Sequence, residues 1–174
     1  GYDDNGNIIN KTTGALVTTY TYNNGNLLTA METTHPNQNP YNPLNFYTAS
    51  YYLDGNLKQK QDDSDYVGYI YDGLNRLLLE DGTDPTTYTY DAYGNIAQKD
   101  CAPMRSQHNI TDYVYNANNQ LVQSTEKFVD YVADVEDPVT TTRYAYDGNG
   151  NQTYKLTDVF SNANGTETTQ LGIL

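Results

Sequence analysis

Residues 69–78 read YIYDGLNRLL, from Tyr69 to Leu78. The pattern returns as YTYDAYGNIA from Tyr88, YVYNANNQLV from Tyr113 and YAYDGNGNQT from Tyr144. Looser copies are YDDNGNII from Tyr2, YTYNNGNLL from Tyr20 and YYLDGNLKQ from Tyr51. Anchored on the Gly-Asn pair or its equivalent, the copies fall at positions 6, 25, 55, 75, 94, 119 and 150. The steps are 19, 30, 20, 19, 25 and 31 residues, so a unit of about twenty residues with three expanded links spans most of the chain.

The unit predicts a β-hairpin. Side chains alternate along a strand, so the pairs Tyr20/Tyr22, Tyr69/Tyr71, Tyr88/Tyr90, Tyr113/Tyr115 and Tyr144/Tyr146 each put two rings on one face. Tyr favours strands, and its hydroxyl suits a half-wet surface. The Asp or Asn that follows (Asp72, Asp91, Asp147) accepts backbone N–H groups two residues ahead and starts a turn. Gly6, Gly25, Gly55, Gly94 and Gly150 are expected to take positive φ, with Asn75 and Asn119 standing in where glycine is absent. The turn runs on through Asn26, Asn95 and Asn151, and an aliphatic residue (Leu27, Leu57, Leu77, Ile96, Leu121) opens the returning strand. YYLDGNL reads as lacking its second Tyr and one turn position. Because a lone hairpin is marginal in water, the units are expected to stack edge to edge into an all-β antiparallel sheet with a tyrosine stripe on one face.

Composition agrees with a thin sheet. Of 174 residues, 19 are Tyr, only 3 are Phe and none is Trp, which argues against a thick apolar core. The 22 acidic and 9 basic residues give a net charge of −13. With no Lys/Arg cluster, nucleic-acid binding through phosphate contacts is excluded, and an anionic membrane surface is disfavoured. No apolar run is long enough to span a bilayer. Cys101 is the only cysteine, so an internal disulfide is impossible. The chain opens inside a repeat, at Gly1-Tyr2-Asp3, which reads as a piece of a longer polypeptide.

Residues 1–174 read as one array of about seven hairpins, with irregular loops at 31–46, 102–110 and 128–142. The first of these, METTHPNQNPYNPLNF, carries three prolines and four asparagines. Asp62-Asp63-Ser64-Asp65 reads as an acidic turn. Thr83-Asp84-Pro85-Thr86 and Asp100-Cys101-Ala102-Pro103 read as reversals into the next Tyr strand. FVDYVADVEDPV, from Phe128 to Val139, fits one or two helical turns and equally a lengthened hairpin, which its strand-rich surroundings favour. Asn164-Gly165 marks one last hairpin in the tail.

Catalytic chemistry finds little support. His35 and His108 both fall in expected loops, and Cys101 has no neighbouring base in sequence apart from a conceivable pairing with His108. No metal-ligand spacing exists. Asp147-Gly148-Asn149-Gly150-Asn151 resembles the start of a calcium loop, but Gln152 stands where such a loop needs Gly, so Asp147 reads as a turn initiator. We expect no enzyme activity, no cofactor and no metal. Sugar binding, if present, is expected in the non-repeating loops, particularly at Tyr41 and Asn42.

The Tyr-x-Tyr-Asp-x-x-Gly-Asn-Leu motif resembles the YD repeats of Rhs-type proteins, which include bacterial Rhs and wall-associated polymorphic toxins, toxin-complex subunits and teneurins. The resemblance covers about 150 of the 174 residues and is most specific in YIYDGLNRLL and YTYDAYGNIA. It implies hairpins stacked into a curved or spiralling sheet that is part of a β-shell, with the repeat residues as scaffold. It implies a secreted or cell-surface bacterial protein whose partner is the rest of the same polypeptide, including a C-terminal cargo domain. Asp84-Pro85-Thr86-Thr87 and Asp137-Pro138-Val139-Thr140 do not match the family's DPxG-type self-cleavage signature, so self-cleavage is not assigned. The rival reading is an adhesion or carbohydrate-binding module that meets glycans or a surface partner through its loops. Exposed edge strands also invite self-association.

Overall fold

The structure is a computed structural model and describes residues 1–37, 43–104, 106–133, 135–161 and 166–172. Among these there is no helix, and the chain is all-β. It forms two compact units, Gly1–Thr83 and Asp84–Leu174.

The first unit holds β1 (Asn10–Thr13), β2 (Leu16–Tyr22), β3 (Leu28–Thr34), β4 (Asn45–Tyr51), β5 (Leu57–Asp62), β6 (Tyr66–Tyr71) and β7 (Leu77–Asp81). Each pairs antiparallel with its neighbour in sequence. The second unit repeats the plan with β8 (Thr86–Tyr90), β9 (Ile96–Met104), β10 (Gln107–Tyr115), β11 (Leu121–Asp130), β12 (Val135–Tyr146), β13 (Gln152–Ser161) and β14 (Thr166–Gly172). The pairing of β13 with β14 makes the last hairpin expected in the tail.

Among the described residues of each unit a strand packs only against its sequence neighbours, so each is a single-layer meander. The consequence for burial is direct. Among the described residues Ile110, at 8% exposure, is the one buried hydrophobic, and the other buried residues are Thr33, Thr86, Ser124 and Thr142. Tyrosines of the paired motif are half-buried, and the residue between them (Thr21, Ile70, Thr89, Val114, Ala145) faces solvent. Stability therefore rests on backbone ladders and cross-strand side-chain pairs rather than on a closed core.

One such pair recurs. The hydroxyls of Thr18 and Thr33 are 2.9 Å apart, and those of Thr142 and Thr157 are 3.1 Å apart. Thr18, Thr86, Thr111 and Thr142 all stand two residues before the first motif tyrosine, so the working motif in these repeats is Thr-x-Tyr-x-Tyr-(Asp/Asn).

Several sequence expectations need correction. The 102–110 stretch, expected to be an irregular loop, holds the end of β9 and the start of β10, so His108 lies in a strand. Pro103, which has no amide to donate, is accommodated where the β9–β10 register shifts, with paired residues at Cys101 and Met104 but none between. Asp100–Pro103 is therefore strand and not a reversal. The 128–142 segment is mostly β11 and β12, an extended hairpin and not an irregular loop. The irregular stretch expected at 31–46 is narrower, because β3 runs to Thr34 and β4 begins at Asn45.

Candidate functional site

Seven hairpin tips share one hydrogen-bond frame. Take as position X the residue after the second motif tyrosine. In the fourth repeat this is Asp72, whose N–H donates to the Arg76 carbonyl at 2.9 Å while the Asn75 N–H donates back to the Asp72 carbonyl at 3.0 Å. The same two bonds form at Asp3, Asn23, Tyr52, Asp91, Asn116 and Asp147. Where X is Asp or Asn, its side-chain oxygen closes the tip. Asp72 Oδ1 accepts the N–H groups of Leu74 and Arg76 at 2.8 and 2.9 Å, and Asp91 Oδ1 accepts those of Tyr93 and Asn95, both at 2.9 Å.

The second carboxylate oxygen takes a side chain four residues on: Asn7 for Asp3, Asn95 for Asp91, Asn151 for Asp147 and Arg76 for Asp72. The Asn amides hold Asp3, Asp91 and Asp147 below the usual carboxylate range, and at Asp72 the backbone N–H of Arg76 leads the same effect. This accounts for the calcium-like reading at Asp147, since its oxygens accept from Asn149 and Asn151.

The residue at X+3 has positive φ in every tip: Gly6, Asn26, Gly55, Asn75, Gly94, Asn119 and Gly150. Gly25 does not, contrary to the expectation from its Gly-Asn pair, and Asn26 takes the left-handed place with φ 59°. Asn23 sets that register by accepting the N–H groups of Gly25 and Leu27, so Leu28, not Leu27, opens the returning strand. Measured from X, the steps become 20, 29, 20, 19, 25 and 31 residues.

In six tips the register then shifts at the second tyrosine: Tyr22, Tyr51, Tyr71, Tyr90, Tyr115 and Tyr146 each sit at a one-residue bulge. The tyrosine hydroxyl also joins one hairpin to the next. Tyr22 donates to the Ile8 carbonyl at 3.0 Å, Tyr51 to Leu28 at 2.7 Å and Tyr146 to Leu121 at 2.8 Å. The registered pairs of β3 with β4 stop at Ala30, and those of β11 with β12 at Gln123, so the hydroxyl bonds a carbonyl beyond the ladder. Burial pushes the phenols of Tyr51, Tyr71 and Tyr115 up.

The third repeat differs from the sequence reading. Tyr51 is its second motif tyrosine, Ala49 replaces the first, and the tip has full length. The residue at X is Tyr52, with Asp54 moved two places on, where its carboxylate accepts the N–H and side-chain amide of Asn56 at 3.0 and 3.1 Å.

Beside this tip lies a cleft of about 440 Å³ lined by Tyr52, Leu53, Asp54, Ile70, Tyr71, Asp72 and Asn75. The Tyr52 ring is 39% exposed and meets Tyr71 edge-on at 6.2 Å, with Lys58 Nζ 5.7 Å from its centroid. Its hydroxyl donates to the Tyr69 carbonyl at 3.0 Å. A smaller cleft of about 210 Å³ in the second unit is lined in part by Ile110, Glu126 and Phe128.

Tyr41 and Asn42, expected to meet a ligand, lie outside the described residues. His108 Nδ1 sits 2.8 Å from Asp100 Oδ1, and its ring meets Tyr131 edge-on at 5.1 Å. Cys101 is half-buried and in register with Thr86 and Asn109. His35 Nδ1 accepts the N–H of Asn37. Among the described residues no three His, Cys, Asp or Glu side chains converge as metal ligands.

No family model and no curated protein matches the chain. Among solved structures the chain is similar to a crystal structure of a protein with unknown function from Bacteroides fragilis NCTC 9343. That likeness has 10% identity and a TM-score of 0.20, over 90% of this chain and 91% of that one, and it carries no argument about function.

Proposed function

We propose that this chain is a noncatalytic scaffold, part of an Rhs-type β-shell that encapsulates or presents a C-terminal domain of the same polypeptide. The observation that carries this reading is the repetition of one tip frame at Asp3, Asn23, Tyr52, Asp91, Asn116, Asp147 and Asp72 in single-layer sheets that, among the described residues, bury almost no hydrophobic side chain. A sheet of that kind leaves a half-buried tyrosine face for another body to cover, and aromatic rings with a polar tip suit such a partly wet contact. Its acidic surface keeps a large area of sheet soluble. Secretion or surface display follows from the same resemblance.

The test is limited proteolysis with intact-mass readout on the natural polypeptide that carries the array. A resistant repeat core that retains a separate protected C-terminal fragment supports encapsulation. Free digestion of the C-terminal region refutes it and turns attention to the adhesion reading.

A further inference from the structure

Position X+8, the place opposite the first motif tyrosine, alternates in chemistry from one hairpin to the next. It is Lys11, Lys60, Lys99 and Lys155 after the first, third, fifth and seventh tips, and Met31, Glu80 and Ser124 after the others. Strand register pairs Lys11 with Thr18, Lys60 with Ala49, Lys99 with Tyr88 and Lys155 with Tyr144, so each lysine stands on the tyrosine face of its unit. Lys11 in β1 and Lys60 in β5 are four strands apart, and so are Lys99 in β9 and Lys155 in β13, which is about 19 Å at the usual strand spacing. Among the described residues none of the four side chains makes a hydrogen bond, an ion pair or a cation–π contact; those fall to Arg76, His108, Arg143 and Lys58. Lys60 acts on Asp62 and Asp65 only from beyond ion-pair distance. The acids that register places on the same faces, Asp62, Glu80, Glu126 and Asp130, no more than match the lysines, so the net charge of −13 is carried elsewhere on the chain.

We propose that these lysines dock carboxylates of the polypeptide body that covers the tyrosine face, so that this body presents isolated Asp or Glu side chains at the spacing of two hairpins. The inference rests on the encapsulation reading and names the chemistry of the covered contact. Lys60 and Lys99 are already half-buried, and a neutral apolar body laid over them would strand their ammonium groups without water or partner. Carboxylates remove that penalty, while the tyrosine rings between the lysines supply the apolar part of the contact. A nucleic-acid strand is a poorer fit, because its phosphates recur about every 3.4 Å along the axis and would far outnumber these widely spaced cations.

The experiment is lysine acetylation mapped by mass spectrometry, run on the isolated chain and on the natural polypeptide that carries the array, followed by carbodiimide crosslinking of that polypeptide. Acetylation of Lys11, Lys60, Lys99 and Lys155 is expected to fall about tenfold in the polypeptide, since the centre of a stable interface excludes water. Lys127, paired with Ile110 on the opposite face of its unit, serves as the reference. Carbodiimide is expected to join the four lysines to Asp or Glu side chains outside the array. Protection of the lysines without such crosslinks overturns the carboxylate partner and leaves encapsulation standing. Acetylation as in the isolated chain, alongside a C-terminal fragment that resists protease, overturns the docking face and again leaves encapsulation standing. Open lysines together with a freely digested C-terminal region overturn both.

Discussion

Alanine at Gly55 and at Gly73 separates the backbone requirement of the tip from everything else. A Cβ added at either place meets nothing within 4 Å, so neither substitution creates a clash. Gly55 has φ 90°, and Gly73, one tip later, is not in the left-handed region. An L-residue held left-handed costs roughly 1–2 kcal/mol. Where the native backbone suits alanine, the loss of freedom in the unfolded chain instead stabilises by about 0.4–1 kcal/mol. The two variants should therefore differ by roughly 1.5–3 kcal/mol, which is about ten- to a hundredfold or more in the local opening equilibrium. Urea unfolding followed by tyrosine fluorescence reads this, since the chain has 19 Tyr and no Trp. Hydrogen exchange at the Gly55 and Asn75 amides assigns it to each tip, because repeat arrays open locally. Equal effects of the two substitutions would refute the tip geometry.

The second repeat gives a companion case: Asn26→Ala should destabilise, because it loses both the left-handed preference and the bonds from Asn5 and Asn7, whereas Asn26→Gly should retain most stability in the same urea assay. Tyr146→Phe removes the hydroxyl bond to the Leu121 carbonyl and should cost about 0.5–1.5 kcal/mol, read as a lower urea midpoint with an unchanged slope. The carboxyls of Asp3, Asp72, Asp91 and Asp147 titrate below their ordinary value of 3.8 when folded, so as pH falls the unfolded chain binds protons first. Their contribution is complete above the ordinary range and is lost as pH drops through 3.8 toward the lower folded values. Replacing Asp91 and Asp147 with Asn, the residue native at positions 23 and 116, should flatten an acid melting series over that window.

Most of the fold was legible because strand, turn and return are encoded within ten neighbouring residues. Tyr69, Tyr71 and Asp72 declare a hairpin without help from the rest of the chain. What misled was the Gly-Asn pair. Gly25 looks like a turn glycine, yet the side chain of Asn23 decides the register, and a hydrogen bond to N–H groups two and four residues away outweighs glycine's freedom. Asp100 and Pro103 looked like a reversal because both residues favour turns, but a register shift lets the strand carry a proline. The Thr18–Thr33 and Thr142–Thr157 pairs were invisible because they join residues 15 apart whose register depends on the bulge. The cleft at Tyr52 was equally hidden: it is assembled by two tips, and YYLDGNL looked like a shortened repeat until Tyr52 took the place of Asp.

Every tip spans five residues, while the steps between tips run from 19 to 31, so all the length variation of the array falls at the opposite ends of the hairpins. That asymmetry makes one margin conserved in form and the other free to change. A foreign peptide inserted after Val132, which is 83% exposed at such a variable end, would lengthen the β11–β12 connection and leave the Asn116 and Asp147 tips in register. For protein engineering each unit is thus a ruled page: tips of one fixed form set the lines, and the far margin accepts new text.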